Sequence, residues 1–295
     1  LLALSALELP KGSEVIIPSP YWVSYPDMVR IAGGTPVIIP TTATSGFKMS
    51  ADQLKSALTA NTRAVIINSP SNPTGAFYSR DELDALADVL EKTNAWVVSD
   101  EIYEKLTFEG QFYSFASLSN DAFERTLTVN GLSKTYAMTG WRVGYAAGPK
   151  PVITAMALLQ GQSTSNTNSV AQKAALRALD LDDEVIRPMV EAFRRRRDRM
   201  AEIFSQANFF SFVKPAATFY FFLNIEAVVG KIYNEKEVIQ GSDDLAFYLL
   251  NSAHVGTVAG KGFGADGYLR LSFAASDEEV EQGAKSIVEA AAKLV

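Results

Sequence analysis

Short apolar runs alternate with amphipathic stretches along the first two-thirds of this 295-residue chain, and this alternation constrains the fold most strongly. Residues 64–68 and 95–99 are continuous apolar runs of the kind found in strands that are buried on both faces. Strands separated by helices of about ten residues or more form crossovers in a mostly parallel sheet. We therefore predict an α/β fold with strands at residues 15–17, 36–39, 64–68, 95–99, 126–130 and 143–147 and helices at 21–31, 51–58 and 80–91.

Polar residues directly follow three of the predicted strands. They occupy residues 68–75, 100–103 and 131–134. In a parallel sheet, ligands bind beyond the carboxyl ends of the strands, and these ends meet at one edge. The sequence therefore predicts one rim that is built from these three segments.

The C-terminal part of the chain has a different pattern. One long helix is predicted over residues 182–206. It carries four consecutive arginines, Arg194 to Arg197, which point all round a helix and indicate a solvated surface with ion pairs. Residues 260–264 are rich in glycine but miss the spacing of a phosphate loop, so we predict a flexible loop there. Strands at 219–223 and 268–273 and helices at 242–252 and 276–294 predict a smaller α+β domain over residues 184–295, after a large domain over residues 1–183.

Charge and residue counts exclude several classes of function. Lys and Arg number 27 against 33 Asp and Glu, and the net charge of −6 argues against nucleic-acid or anionic-membrane partners. No stretch reaches the roughly 18 apolar residues of a membrane span. With no cysteine and one histidine, His254, the chain has no disulfide or Cys–His dyad, and we expect no metal site. An enzyme of this composition would move protons with Lys, Tyr, Asp or Glu, or would rely on a cofactor.

Lys134 and Asp100 are the first candidates for chemistry, because each follows a buried strand. A lysine amine at the rim can form a Schiff base if burial and nearby cations lower its pKa, although a lone loop lysine is more often a surface residue. A carboxylate at the position of Asp100 can hold a proton on a heteroaromatic nitrogen, or it can cap a helix. Tyr103 lies three residues further on, where its phenol could hydrogen-bond a ring oxygen or simply pack.

Four further residues are candidates for binding. Asn72 lies in the turn-rich segment 68–75, which can aim its amide at a ligand. The guanidinium of Arg142 suits a phosphate group, because its planar fork forms paired hydrogen bonds. Arg270 lies on an alternating strand pattern and could face a carboxylate or water. Trp22 could stack on a flat ring or belong to the core.

The order and spacing of these motifs resemble one known family. Ser-Asn-Pro-Thr-Gly at 71–75, Asp-Glu-Ile-Tyr at 100–103, Ser-Lys at 133–134, Arg142 and Arg270 together resemble the class I aminotransferases. These are pyridoxal 5′-phosphate enzymes of fold type I. The amino-acid sequences of residues 20–26 and 137–142 most resemble those of the bacterial-type aspartate aminotransferases, and the resemblance covers essentially the whole chain.

The resemblance implies a role for each candidate. Lys134 would hold the cofactor as a Schiff base and shuttle the substrate's proton, and Asp100 would keep the ring nitrogen protonated. Tyr103 and Asn72 would hydrogen-bond the ring's O3′ oxygen. The other roles implied are ring stacking by Trp22, phosphate binding by Arg142 and α-carboxylate binding by Arg270 with Asn72. Amino acids and 2-oxo acids would be the substrates, the protein would be a homodimer, and the lack of cysteine and of a targeting signal suggests the cytoplasm.

Two departures from the family pattern bear on these expectations. Gly131 stands where many members have a phosphate-binding serine, and Ser133 is a possible substitute. The apolar opening at Leu1 is typical of a buried helix, and we expect the natural protein to begin earlier, since the family's N-terminal portion is missing.

The sequence leaves three hypotheses about the function open. The first is transfer of an amino group from aspartate to 2-oxoglutarate. The second is another reaction on the same fold (an aromatic, prephenate or alanine aminotransferase, or a β-eliminating lyase), and the third is a non-catalytic binding module.

Overall fold

The computed structural model describes residues 1–233 and 236–295. A six-stranded sheet forms its N-terminal part, with strands β1 Glu14–Ser19, β2 Thr35–Pro40, β3 Thr62–Asn68, β4 Trp96–Asp100, β5 Thr126–Gly131 and β6 Gly144–Ala147. The strand order is β2-β1-β3-β4-β5-β6. β1 to β5 are parallel and β6 is antiparallel to β5, so the prediction of a mostly parallel sheet is confirmed.

The register of the sheet brings the predicted rim together. Asn68 at the end of β3 pairs with Asp100 at the end of β4, and Asp100 pairs with Val129 near the end of β5. The Asn68 side-chain amide also donates a hydrogen bond to the backbone carbonyl of Asp100 at 3.1 Å. Because the three strands end side by side, the polar segments that follow them start from one edge of the sheet.

Helices cover both faces of this sheet. Alternation along β1 places Ile16 in a cluster with Leu83 on one face, and Val15 and Ile17 in a cluster with Val29 on the other. Each fully buried side chain of this size stabilises the fold by about 1.5–3 kcal/mol. Serine N-caps with reciprocal glutamine or glutamate bonds fix the starts of the helices Ala51–Ala57 and Arg80–Leu90. The helices of this part are α1 Leu2–Ala6, α2 Tyr25–Ile31, α3 Ala51–Ala57, α4 Arg80–Leu90, α5 Asn120–Arg125, α6 Lys150–Ser163 and α7 Ser169–Leu179.

An antiparallel sheet and three helices form the C-terminal part. The strands are β7 Ser211–Phe212, β8 Tyr220–Asn224, β9 Ile232–Tyr233, β10 Glu237–Val238, β11 Val258–Ala259 and β12 Tyr268–Ser272, and the helices are α8 Arg187–Ser205, α9 Ser242–Ala253 and α10 Asp277–Ala291. The four-stranded sheet has the order β11-β12-β8-β7, and β9 pairs with β10. Phe221 and Phe273 lie in its core, which also contains Tyr103 and Phe108 from the N-terminal part. The domain boundary near residue 183 stays a prediction.

The long helix predicted over residues 182–206 begins later than expected. A short 3₁₀ turn at Asp183–Val185 precedes α8, because Pro188 lies in the first turn of α8. The arginine run is only partly solvated. Arg195 and Arg196 pair with Asp277 as predicted, whereas Arg197 is 2% exposed.

The prediction of a flexible loop at residues 260–264 is wrong. Residues Gly260–Phe263 form a 3₁₀ turn, and the Phe263 side chain is buried. A Cβ atom at Gly260 would lie 2.2 Å from the Ala265 carbonyl oxygen, so the backbone here is closely packed. The glycines of this segment therefore permit tight packing and not mobility.

In the part of the chain that the structure describes, none of the helices is both long enough and apolar enough to cross a membrane. Across residues 1–233 and 236–295, no group of three or more His, Cys, Asp or Glu side chains is arranged to hold a metal ion.

Candidate active site

A cavity of about 400 Å³ lies beyond the carboxyl ends of β3, β4 and β5. All seven residues that the sequence singled out line it, although they come from segments up to about 250 residues apart in the chain (270 against 22). These residues are Trp22, Asn72, Asp100, Tyr103, Lys134, Arg142 and Arg270. Tyr25, Ser133 and Tyr220 contribute to the same lining.

Lys134 reaches the cavity from the segment that follows β5. Its side chain is half-buried, and its ammonium group lies 5.6 Å from the ring centroid of Phe219 and 6.0 Å from that of Tyr103. Burial, and then the positive charges of Arg270 and Arg142, lower the pKa of the Lys134 amine. The amine is therefore more often neutral, and more nucleophilic, than a surface lysine.

Asp100 is the last residue of β4 and does not cap a helix, since turns and not a helix follow it. Its Oδ2 accepts a hydrogen bond from the Tyr25 hydroxyl at 2.6 Å, and its Oδ1 accepts one from the backbone N–H of Ile102 at 3.3 Å. Burial raises the pKa of Asp100 although both hydrogen bonds favour the anion. Both of its hydrogen-bond donors are neutral, so this desolvated carboxyl group suits a cationic partner that forms a charge-assisted hydrogen bond.

The neighbouring carboxylate, Glu101, follows the end of β4 and is not among the residues that line the cavity. Its Oε1 accepts hydrogen bonds from the Ser99 and Ser114 hydroxyls at 2.7 and 2.9 Å and from the Phe115 N–H at 3.2 Å. Burial raises the pKa of Glu101. Of the two adjacent acids, Asp100 alone faces the cavity, and Glu101 anchors the segment at Phe115.

Tyr103 is buried, and its hydroxyl lies 3.1 Å from the hydroxyl of Tyr220. Burial, and then the hydrogen bond and proximity of Tyr220, raise the pKa of Tyr103 well above its ordinary value. The phenol is therefore protonated at all physiological pH values and available as a hydrogen-bond donor.

Asn72 and Arg270 form a pair across the cavity. Arg270 Nη1 donates to Asn72 Oδ1 at 2.9 Å, and the Arg270 Nε is buried with no hydrogen-bond partner in the described part of the chain. The guanidinium carbon lies 4.3 Å from the ring centroid of Tyr220 and 4.9 Å from that of Phe263. Burial lowers the pKa of Arg270, although a guanidinium stays charged. An incompletely paired cation of this kind suits a carboxylate.

Arg142 and Trp22 also line the cavity. Arg142 ends the 3₁₀ turn Thr139–Trp141 with a φ of +55°, and its Nη1 donates to the Thr139 carbonyl at 2.8 Å. Its side chain is exposed, and within residues 1–233 and 236–295 its other guanidinium nitrogens have no protein hydrogen-bond partner. Trp22 is half-buried and meets the Tyr25 ring edge-on, with centroids 5.5 Å apart. Its indole is thereby braced against the tyrosine that holds Asp100.

Gly131 departs from the family pattern for a steric reason. A Cβ atom there would lie 3.0 Å from both Ile102 Cδ1 and the Val143 carbonyl oxygen, which is tighter than ordinary contact. A serine would require these neighbours to shift. The hydroxyl available on this segment belongs to Ser133, which lines the cavity.

Sequence reasoning missed several residues that touch the predicted set, among them Tyr25, Tyr220 and Phe263. Tyr25 bonds Asp100, and Tyr220 and Phe263 pack against the Arg270 guanidinium. The signal for Tyr25 was its position one helical turn after Trp22. Tyr220 and Phe263 lie in an aromatic run and a glycine-rich segment, and neither pattern distinguishes a site residue from a core residue.

The chain is similar to proteins of one known family over nearly its whole length. The family described as aminotransferase class I and II matches residues 1–287. A probable aspartate/prephenate aminotransferase of Rickettsia felis is 45% identical over 276 residues, which cover 93% of this chain and 68% of that protein. An aspartate/prephenate aminotransferase of Nitrosomonas europaea is 44% identical over 280 residues, which cover 94% and 70%. The crystal structure of the aspartate aminotransferase from Rhizobium meliloti is similar with a TM-score of 0.95 and 40% identity, over 100% of this chain and 74% of that one.

Proposed function

The chain belongs to the class I and II aminotransferases, which are pyridoxal-phosphate-dependent enzymes, and we propose that it moves the amino group of aspartate to 2-oxoglutarate. One observation carries the proposal. An amine, a carboxylate and a guanidinium, those of Lys134, Asp100 and Arg270, line a single cavity of about 400 Å³. An amine can hold an aldehyde, a carboxylate can hold a ring proton, and a guanidinium can hold a substrate carboxylate.

The residues of the cavity fit pyridoxal phosphate. The pKa of Lys134 is lowered by burial and by two arginines, as a nucleophilic amine requires. Asp100 offers a desolvated carboxylate whose protein donors are neutral. When bound, the cofactor supplies an electron-withdrawing ring that stabilises negative charge at the substrate's Cα.

Lys134 and Asp100 have the central tasks in this proposal. Lys134 would hold the cofactor's aldehyde carbon, and its amine would take the proton from the substrate's Cα. Asp100 would keep the proton on the ring nitrogen through a charge-assisted hydrogen bond, and the Tyr25 hydroxyl orients that carboxylate. Tyr103 would donate a hydrogen bond from its phenol to the ring's O3′ oxygen.

The remaining residues bind and orient. We assign the phosphate to Arg142, whose fork is mostly free, and the ring face to Trp22. Arg270 binds the substrate's α-carboxylate, and Asn72 holds the guanidinium in place at 2.9 Å. Orientation of this kind converts an encounter into a reactive geometry.

Absorbance and activity test the proposal together. The purified holoenzyme should show a visible cofactor band and should form oxaloacetate from aspartate and 2-oxoglutarate. Lys134→Ala should lose the band of the covalently held cofactor and the activity. Lys105→Ala is the matched control, because Lys105 pairs with Asp183 on the surface at 2.8 Å and should leave both readouts unchanged. An unaltered spectrum in Lys134→Ala would refute the assignment.

The names of two relatives favour prephenate as a second amino acceptor. Both proteins are called aspartate/prephenate aminotransferases, and both are similar to more than nine-tenths of this chain. A panel of 2-oxo acids offered with aspartate as donor would rank prephenate against 2-oxoglutarate. Release of pyruvate and ammonia without any acceptor would indicate a lyase instead.

A homodimer is part of the proposal. Trp141, which is 48% exposed, and Val170, which is 69% exposed, line the same surface pocket as Arg142. Neighbouring exposed apolar residues mark association surfaces. Light scattering of the purified protein should give twice the 32.0 kDa mass of the chain. We further propose a division into domains near residue 183 and a cytoplasmic location, which limited proteolysis and cell fractionation would test.

A further inference from the structure

Tyr220 contacts two parts of the active site: Arg270, to which we assign the substrate carboxylate, and Tyr103, to which we assign the cofactor's ring oxygen. It opens β8, which pairs antiparallel with β12 so that Tyr220 faces Ser272 and Phe222 faces Arg270. Tyr220 and Arg270 are therefore diagonal neighbours on one face of the sheet, a spacing that aromatic and long side chains bridge. Tyr220 is 7% exposed, so both its ring and its hydroxyl are committed to contacts inside the protein.

The ring of Tyr220 contacts the Arg270 guanidinium. The guanidinium carbon is 4.3 Å from the ring centroid, which is within the range of a cation–π contact. The only direct hydrogen bond recorded for this guanidinium within the described chain is the one from Nη1 to Asn72, and Nε is buried without a partner. One hydrogen bond leaves the fork free to rotate about that contact. The aromatic face limits this rotation.

The hydroxyl of Tyr220 contacts the other half of the site. It lies 3.1 Å from the Tyr103 hydroxyl, and the two rings meet nearly edge to face with centroids 5.9 Å apart. If Tyr103 donates its proton to the cofactor's ring oxygen, the Tyr220 hydroxyl is left to donate to Tyr103. Hydrogen bonds in such a chain strengthen one another.

We propose that Tyr220 is a positioning residue that serves both halves of the site, with its ring aligning Arg270 for the substrate carboxylate and its hydroxyl strengthening the hydrogen bond from Tyr103 to the cofactor. This rests on the aminotransferase function proposed above. The two contacts belong to different atoms of one side chain, so they can be removed separately.

Two substitutions of Tyr220 separate the contacts. Tyr220→Leu removes the ring and the hydroxyl, and the KM for aspartate should rise about ten-fold, as expected for a desolvated cation–π contact, while kcat changes less. Tyr220→Phe keeps the ring, so its KM should stay within about two-fold of the wild-type value. In Tyr220→Phe, the pH midpoint of the visible cofactor band should rise by about half a unit, because a weaker donor leaves the ring oxygen more basic.

Two further variants control for a merely structural effect. Phe263→Leu removes the second ring near Arg270, 4.9 Å away, and should raise the KM without moving the pH midpoint. Tyr248→Phe removes another buried tyrosine hydroxyl, which donates to the Ala290 carbonyl at 2.9 Å. Tyr248 does not line the cavity, so this substitution should change neither the KM nor the pH midpoint. If Tyr220→Leu does not fold, Tyr220→Phe and Phe263→Leu still test the two contacts.

The outcomes separate this inference from the proposed function. An unchanged KM in Tyr220→Leu, or an equal rise in Tyr220→Phe, would overturn the role of the ring, and an unmoved pH midpoint in Tyr220→Phe would overturn that of the hydroxyl. Calorimetry with succinate measures carboxylate binding without turnover. If the wild type showed no amino transfer, the proposed function would fail, while weaker succinate binding by Tyr220→Leu would still support the alignment of Arg270.

Discussion

Asn72→Asp is the perturbation that tests the carboxylate site most directly. Asn72 Oδ1 accepts a hydrogen bond from Arg270 Nη1 at 2.9 Å, so an aspartate at this position would place an anion against the same guanidinium that is to hold the substrate. A substrate carboxylate on the other nitrogens of the fork would then lie about 5 Å from the new charge, given ordinary N–H···O distances of about 2.8 Å. The two carboxylates would share one cation and repel each other.

The size of this repulsion follows from Coulomb's law. At an effective dielectric constant of about 20, two unit charges about 5 Å apart repel by about 3 kcal/mol, which corresponds to a roughly 200-fold rise in the KM for aspartate. Asn72→Ala is the matched control. It removes a hydrogen bond to a charged group, a loss of about 1.5 kcal/mol, so its KM should rise only about ten-fold.

Steady-state kinetics and succinate titration of the cofactor band measure both variants. If Arg270 holds the substrate carboxylate, Asn72→Asp should bind substrate at least several-fold more weakly than Asn72→Ala, because only Asn72→Asp adds a competing charge. Equal effects of the two substitutions, or a milder effect of aspartate, would show that Arg270 does not hold the substrate carboxylate.

Three other predictions concern the surroundings of the cavity. Tyr25→Phe removes the 2.6 Å hydrogen bond that stabilises the Asp100 anion, so the pKa of Asp100 should rise further and the acid limb of kcat/KM should move to higher pH. Burial raises the native pKa of Glu101 above its ordinary value of 4.5, so the wild type should lose stability as the pH rises from about 4.5 through the native pKa. Glu101→Gln, whose Oε1 can still accept the same three hydrogen bonds, should not show this loss in thermal unfolding. Arg197→Met removes a buried guanidinium that donates to the Pro215 carbonyl at 3.0 Å, and it should lower the free energy of unfolding by about 1–3 kcal/mol, as urea denaturation would measure.

Each of these three predictions has an opposing result. An acid limb that stays in place in Tyr25→Phe would show that Asp100 does not limit activity at low pH. A parallel pH dependence of unfolding in Glu101→Gln and wild type would mean that this carboxyl is not a linked proton site. For Arg197, unchanged stability would indicate that the exposed carboxylates around it, those of Glu109 and Asp198, contribute no more than solvent does.

The parallel sheet and the rim were predictable because their signals are local. A continuous run such as residues 64–68 can be satisfied only in a doubly covered strand, and the polar residue after it must then lie at the sheet edge. Helices α6 and α7 were not predicted, because several of their large apolar side chains lie outside the buried face. Leu158 and Leu176 are more than half exposed, and such positions blur the period of an amphipathic helix.

The contacts that complete the site could not be predicted, because they join residues far apart in the chain. Tyr25 and Asp100 are 75 residues apart, and Tyr103 and Tyr220 are 117 apart. A tyrosine that packs in a core and one that bonds a catalytic group have the same local pattern. The glycine-rich residues 260–264 led to a wrong prediction of a flexible loop, since glycine permits close packing as readily as it permits motion.

The charge of the cavity runs against the charge of the chain. The chain as a whole carries −6, yet the charged side chains of the described lining are three cations, Lys134, Arg142 and Arg270, and one anion, Asp100. A composition that argues against large anionic partners therefore coexists with a local positive field that suits phosphate and carboxylate groups. Burial, and then this field, lower the pKa of Lys134, and a bound substrate carboxylate on Arg270 would partly neutralise the field. A free Lys134 amine would therefore hold a proton more readily with substrate bound, which is what taking a proton from the substrate requires.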